Sequence, residues 1–311
     1  MLNPHLPRRS AEAANVTDLA GRQRTPGSEG LVAMRTTSQA EIQYHYDSGN
    51  DFYGLWLDAG MVYSAALFTS DTHSLEEAQR AKLAFHADAA GARPGARILD
   101  VGCGWGAMLR FLVEERDVGE AIGLTLSEAQ KQRFDEERSE PRARMEIMNW
   151  QDYHDPQPFD GIISIGAFEH FGRQDHSPEE RRAVYAQCFN FCRRRLNRGG
   201  KLSLQTIAYG RIRKLTPFLR AKIWRESELP MADEVLEAAS RWFEVEQLLN
   251  HRLHYARTLR EWEKRLLGAR SRAEALVGLD KVADYLRYLD EAASGFENGA
   301  IQLLRIAFRR H

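Results

Sequence analysis

Cysteine is scarce: Cys103, Cys188 and Cys192 are the only three in 311 residues, too few and too unevenly spaced to staple a fold with disulfides. That usage fits a cytoplasmic, reducing setting. Cys188 and Cys192 stand four apart on a helical stretch with no histidine at ligand spacing, so buried thiols are expected there and no metal site. Net charge is missing too, since 43 Lys and Arg against 44 Asp and Glu leave −1, and no global field points to nucleic acid or an anionic membrane. Arginine outnumbers lysine, which reads as coding-sequence composition rather than phosphate recognition. No apolar run approaches the ~20 residues of a membrane span, so stable membrane insertion is not expected. Residues 1–37 hold Arg, Pro, Gly and Ser around no apolar centre and read as a disordered tail, not a secretory signal.

What is present is ordinary globular usage, 43% hydrophobic and 28% charged. Residues 40–57 read as two short helices about the turn Ser48-Gly49-Asn50, and 72–90 as a helix with Ser74 and Glu77 at capping-box spacing. Both belong to an expected N-terminal helical lid, 38–92. From residue 93 to 311 strands and helices alternate, the mark of a parallel sheet covered on both faces. Strands are expected at 97–101, 121–124, 145–148, 161–165 and 202–207, with helices at 107–115, 127–138 and 178–196 between them. Asn197, Gly199 and Gly200 should close the last of these helices. An insertion at about 208–230 interrupts the alternation, followed by a helix at 231–240 and a strand at 243–253. Helices at 259–267 and 280–294 and a strand at 300–308 complete a doubly wound α/β sheet of seven strands.

The run Ile98-Leu99-Asp100-Val101-Gly102-Cys103-Gly104-Trp105-Gly106 is a buried strand, a glycine-rich turn and a helix start. Glycine lets the backbone turn sharply and approach a ligand at the carboxyl edge of the sheet. A dinucleotide site shares Gly-x-Gly, but here the acidic Asp100 precedes the glycines, the third glycine comes early at Gly106, and the second strand ends Gly123-Leu124-Thr125 without a ribose-binding acid. An adenosyl methyl donor, S-adenosylmethionine, fits better than a nicotinamide. Thr125 with Gln130, and Asn149-Trp150-Gln151, fall at neighbouring strand ends where they can hydrogen-bond or border such a ligand.

With Phe168-Glu169-His170-Phe171-Gly172 added, the chain resembles cyclopropane-fatty-acyl-phospholipid synthases and mycolic acid cyclopropane synthases. The likeness runs through His45-Tyr46-Asp47, Asp51-Phe52-Tyr53, Tyr63-Ser64, the glycine turn and His254-Tyr255-Ala256-Arg257. It implies a class I methyltransferase, Rossmann-like, with its last strand antiparallel. It also implies cofactor contacts at Tyr63, Ser64, Gly102, Gly104, Thr125, Gln130, Trp150, Gln151 and Ile165, with S-adenosylhomocysteine as product. In the family an alkene attacks the sulfonium methyl, and a bicarbonate held by Cys, Glu, His and Tyr then removes a proton to close the ring. Glu169 and Tyr255 match two of those ligands, but Ala65 replaces the Cys and Gln205 the His; a further family Cys appears as Ala292.

Candidate catalytic groups are therefore Glu169, a carboxylate whose pKa burial can raise, and His170 and His45, whose imidazoles titrate near neutrality, with Tyr255. Tyr44, Tyr46, Phe52, Tyr53, Trp56, Phe168 and Phe171 divide between core packing and a pocket that stabilises a cation through ring faces. The altered bicarbonate positions favour an alkene-like carbon or other nucleophile of a small metabolite as acceptor. An unsaturated acyl chain is the second reading and an inactive cofactor-binding scaffold the third. Plant alkaloid N-methyltransferases carry a similar Glu-His pair, which keeps ordinary methyl transfer in view. The basic residues between 211 and 225 suggest a peripheral contact with a carrier or phospholipid surface, against the plainer reading of a solvated face.

Overall fold

The sheet begins with a strand that has almost no polar face. In β1 (Arg97–Val101) every residue after the first is buried, so helices must cover both sides. The computed structural model describes Thr36 and residues 49–311. The rest of the expected tail, the first of the two short helices at 40–57, and His45, Tyr44 and Tyr46 lie outside the described residues.

The elements follow in order as α1 (Asn50–Gly54), α2 (Leu75–Ala89), β1, α3 (Ala107–Glu115), β2 (Glu120–Thr125), α4 (Glu128–Glu137), β3 (Ala143–Ile147) and β4 (Phe159–Ile165). A 3-10 turn at Phe168–His170 leads to α5 (Pro178–Arg195), β5 (Leu196–Tyr209), α6 (Pro217–Lys222), α7 (Ala232–Ser240) and β6 (Phe243–Asn250). Helices α8 (Arg252–Gly268), α9 (Arg270–Val277) and α10 (Leu279–Asn298) precede β7 (Ile301–Arg310). The seven strands lie in the order β3-β2-β1-β4-β5-β7-β6. β1 pairs in parallel with both β2 and β4, so the connections that leave the carboxyl ends of β1 and β4 run toward opposite halves of the sheet and a crevice opens between them. β7 is antiparallel to β5 and to β6, as expected.

Local chemistry sets the ends. Ser74 and Glu77 form the capping box of α2, and Ser177 and Glu180 that of α5. Asn197, Gly199 and Gly200 do not form a turn after α5; they lie at the start of β5, just after Leu196, where the pairing with β4 slips between Phe159 and Gly161. The strand expected to reach 253 stops at Asn250, whose Oδ1 accepts the Arg252 N–H at 3.2 Å and starts α8 seven residues earlier than expected. Helix α9 was not anticipated; Gly278, at φ 86°, separates it from α10.

The larger core gathers Phe52 and Tyr53 of α1 and Trp56 of the turn after it with Tyr255, Trp262, Tyr288 and Phe296 of α8 and α10. Core packing thus claims Phe52, Tyr53 and Trp56, and Phe168 stacks on Tyr185 with centroids 4.8 Å apart. Of the basic residues in the insertion only Arg213 is partly buried, paired with Glu228 and Glu234; Arg211, Lys214, Arg220, Lys222 and Arg225 are exposed, Arg220 reaching Glu228 and Lys222 reaching Asp284 from the surface.

Gly106, the N-cap of α3, has φ 80°, and a Cβ there would stand 2.3 Å from Phe134 Cδ2 of α4. Gly106→Ala therefore meets both a strained backbone and a ring. It should destabilise the fold by more than about 1 kcal/mol, read as a lowered urea midpoint at constant m.

Candidate functional site

Three short segments converge on the crevice beyond β1. The first is the turn before α2, where Asp58 accepts the backbone N–H groups of Gly60 and Val62 at 3.0 Å each. Gln79 of α2 then donates to the carbonyls of Val62 at 3.3 Å and Ser64 at 2.9 Å, fixing Tyr63 and Ser64 over the sheet edge. The second is the glycine turn. Gly102 has φ 84°, and a Cβ on it would lie 2.5 Å from the Cβ of Ala167, so the loops after β1 and β4 touch only because this residue is glycine. The third follows β2, where Ser127 caps α4 and Thr125 Oγ1 donates to Gln130 Oε1 at 2.7 Å.

Between these segments lies a cavity of about 150 Å³. Of the residues singled out in the sequence, Tyr63, Ser64, Asp100, Gly102, Gly104, Thr125, Gln130, Trp150, Ile165 and His170 line it. Gly106 does not, since its place is taken up by packing on Phe134; nor does Gln151, although its neighbours Asn149 and Trp150 do. His45 lies outside the described residues. Lys82 also lines the cavity and was missed, because a lysine on a helix normally reads as a solvated face.

Asp100 Oδ1, Gln130 Nε2 and Trp150 Nε1 are buried on this wall without a hydrogen-bond partner among the described residues. Each such atom costs on the order of 1–3 kcal/mol unless something meets it. One acceptor and two donors around a cavity at a glycine turn suit a ligand with amine, hydroxyl and heterocyclic groups, so the residues present fit S-adenosylmethionine. Charges are held back from solvent here. Burial pushes the Asp100 carboxyl up to about 7, with Lys82 opposing the rise. Burial and then Arg305 bring the Lys82 ammonium down to about 7, while its Nζ donates to Ser64 Oγ at 3.0 Å.

Beyond the cavity wall, Glu169 is only 3% exposed and accepts from Thr206 Oγ1 at 3.1 Å and from the Ile207 N–H at 3.4 Å. Burial pushes its carboxyl up to about 7 against those hydrogen bonds. It is not itself on the wall, but a Cβ on wall residue Gly166 would be 3.9 Å from its Oε1. His170 shares a 2.9 Å hydrogen bond between Nδ1 and Ser227 Oγ. Tyr255 packs its ring on Phe296 at 4.7 Å, in the core rather than on the wall. Tyr63 meets Tyr288 hydroxyl to hydroxyl at 3.4 Å, and Tyr53 meets Tyr285 at 2.8 Å. Tyr285 and Tyr288, one turn apart on α10, were visible in the sequence only as helix-face aromatics.

The other implied bicarbonate positions are occupied by the protein itself. The Ala65 carbonyl accepts from Arg305 Nη2 at 2.9 Å, and Gln205 Oε1 accepts from Arg305 Nε at 2.8 Å and from His86 Nε2 at 3.3 Å. Ala292 is a buried core residue of α10.

The family model described as mycolic acid cyclopropane synthetase matches residues 33–306. Cyclopropane mycolic acid synthase 3 of Mycobacterium tuberculosis is 36% identical over 288 residues, which cover 86% of this chain and 96% of that one. The solved structure of mycolic acid cyclopropane synthase CmaA1 complexed with SAH and CTAB superposes with a TM-score of 0.80 at 32% identity, covering 88% of this chain and 99% of that one. Coclaurine N-methyltransferase, at 20% identity and a TM-score of 0.69 over 89% of this chain and 82% of its own, shares the fold. The cofactor is S-adenosylmethionine. If Gln130 Nε2 meets it, Gln130→Ala should weaken S-adenosylhomocysteine binding by roughly threefold to tenfold in calorimetry, the worth of one hydrogen bond; unchanged affinity would remove Gln130 from the site. Motifs, sheet order and cavity agree with the matched sequences, and the chain belongs to the mycolic acid cyclopropane synthetase family of S-adenosylmethionine-dependent enzymes.

Proposed function

We propose that this enzyme methylates the double bond of an unsaturated acyl chain and closes the product to a cyclopropane. The observation that carries this reading is the buried Glu169, directly behind the wall of the cofactor cavity, in a chain so similar to cyclopropane mycolic acid synthases. The departures at Ala65 and Gln205 had favoured a small metabolite as acceptor. The relatives' named substrate class weighs more heavily than those two positions, and the N-methyltransferase likeness extends to the fold alone.

S-adenosylmethionine, when bound, supplies an electrophilic methyl group on a sulfonium. Tyr63, Ser64, Asp100, Gln130 and Trp150 would hold it. The acceptor's π bond attacks that carbon, and positive charge develops on the alkene. Tyr63 is the ring on the cavity wall, held in place by the core rings of Tyr53, Trp56 and Trp262 behind it at 5.3, 5.5 and 5.3 Å, centroid to centroid. A ring face such as that of Tyr63 stabilises a cation without adding to it, which prolongs the intermediate. Glu169, poised near neutrality just behind the wall, is able to receive a proton.

Labelled S-adenosylmethionine and an unsaturated phospholipid should yield labelled cyclopropane lipid on chromatography. Faster labelling of amines or phenols from a metabolite extract would overturn the acyl reading, and binding without any transfer would favour the scaffold. Because Glu169 must be deprotonated to act, kcat should rise as pH passes upward through about 7. Glu169→Gln should lower ring closure by about 100-fold or more while S-adenosylhomocysteine still binds.

A further inference from the structure

Lysine is almost never fully buried without a charged partner, yet Lys82 of α2 is 1% exposed and lines the cofactor cavity beside Ser64 and Asp100. An ammonium has three N–H donors, and among the described residues only one is used, in the 3.0 Å bond from Nζ to Ser64 Oγ. That bond orients the serine as well. Its oxygen accepts from Lys82, so its own hydrogen turns elsewhere, and no acceptor takes it among the described residues.

The opposite charge stands on the same wall. Asp100 Oδ1 is a buried acceptor with no partner among the described residues, and Asp100 and Lys82 act on one another electrostatically, with no ion pair between them among those residues. Two unlike charges held in one cavity and kept apart suit a molecule that carries both. The amino-acid end of S-adenosylmethionine is such a group, a carboxylate and an ammonium on one carbon. We propose that Lys82 is a cofactor-binding residue whose Nζ, together with the Ser64 hydroxyl, receives the carboxylate of the methyl donor while Asp100 receives its ammonium. The inference rests on the cofactor alone and stands whichever acceptor is methylated.

A plainer account would give Lys82 only the task of pinning Ser64. That task is already done. Gln79, three residues earlier on the same face of α2, holds the Ser64 carbonyl at 2.9 Å, and Asp58 fixes the preceding turn through the N–H groups of Gly60 and Val62. A neutral donor at position 82 could hold a serine oxygen equally well, without the desolvation that a buried ammonium suffers. What a lysine adds is charge, and a carboxylate in contact with it is what makes that charge favourable.

The surroundings of Lys82 also set how binding moves protons. Asp58 of the turn before α2 and Asp100 of β1 favour its charged form, burial and Arg305 of β7 oppose it, and His86, one turn further along α2, is kept neutral by burial. In the cofactor-free protein the balance holds the ammonium near 7. A ligand carboxylate at Nζ favours the charged form further, so binding at about pH 8, where Lys82 is mostly neutral beforehand, draws in a proton. Asp100 works the other way: at about pH 6 its carboxyl is mostly protonated and gives up a proton to meet an ammonium. Net exchange therefore passes from release to uptake as pH rises.

Calorimetry on the full chain compares S-adenosylhomocysteine with methylthioadenosine, which keeps the adenosyl group and the sulfur but lacks the amino-acid end. Lys82→Met, similar in length and uncharged, should weaken S-adenosylhomocysteine by about tenfold to 100-fold, the worth of a hydrogen bond between charged groups, and leave methylthioadenosine within about twofold. Repeated in buffers of different ionisation enthalpy, the unaltered protein should take up most of a proton with S-adenosylhomocysteine at about pH 8 and none with methylthioadenosine, and the variant should lose that uptake. A variant that weakens both ligands equally, or neither, would assign Lys82 to structure alone and overturn the proposal. So would S-adenosylhomocysteine binding to the unaltered chain at about pH 8 without proton uptake, which decides the matter even if Lys82→Met does not fold.

Discussion

The pairing of β1 with β2 on one side and β4 on the other, all three parallel, governs the rest of the molecule. Connections that leave the carboxyl end of β1 in one direction and of β4 in the other cannot fill the space between them. Side chains from the three loops must line it instead. The close approach of Gly102 to Ala167 closes its floor, and the segment 62–64, held by Gln79, closes its roof. A cofactor site is therefore a consequence of strand order, before any residue is chosen to contact the ligand.

On that framework the protein concentrates titratable groups away from water. Asp100, Lys82, Glu169, His86 and Arg305 are all buried, and desolvation is the largest influence on each. Their shifts run in both directions, because burial favours whichever form is neutral. Asp100 and Lys82 partly offset one another across the cofactor cavity, whereas Glu169 has no cation among the causes of its shift. A carboxyl left alone in this way gains basicity, which is what proton removal from a methyl group requires.

Much of this was legible in the sequence because it is local. A glycine turn after a buried strand, Thr125 five residues before Gln130, and Glu169 just beyond β4 are each written within a short window and land near the crevice whenever the strands alternate. The helices after β6 were harder, since Leu248, Leu249 and Leu253 continue a strand-like pattern past the Asn250 hydrogen bond that ends it. Arg305 was invisible. Its partners lie 240 and 100 positions away in the chain, and an arginine near a C-terminus offers no sign that it will be buried. Lys82 escaped for the same reason, because burial of a charged residue is a property of the assembled layers rather than of the helix that bears it.

The three partnerless atoms of the cofactor wall carry a consequence for the protein's persistence. Among the described residues, Asp100, Gln130 and Trp150 each leave a buried polar atom without a protein partner on this wall. A molecule that satisfies them binds the folded chain and not the unfolded one, and so raises the folded population by mass action. The spent thioether carries the same adenosyl and amino-acid groups as the donor. It would therefore block turnover and protect the enzyme at once, making the supply of donor and the removal of product joint determinants of how long each molecule survives.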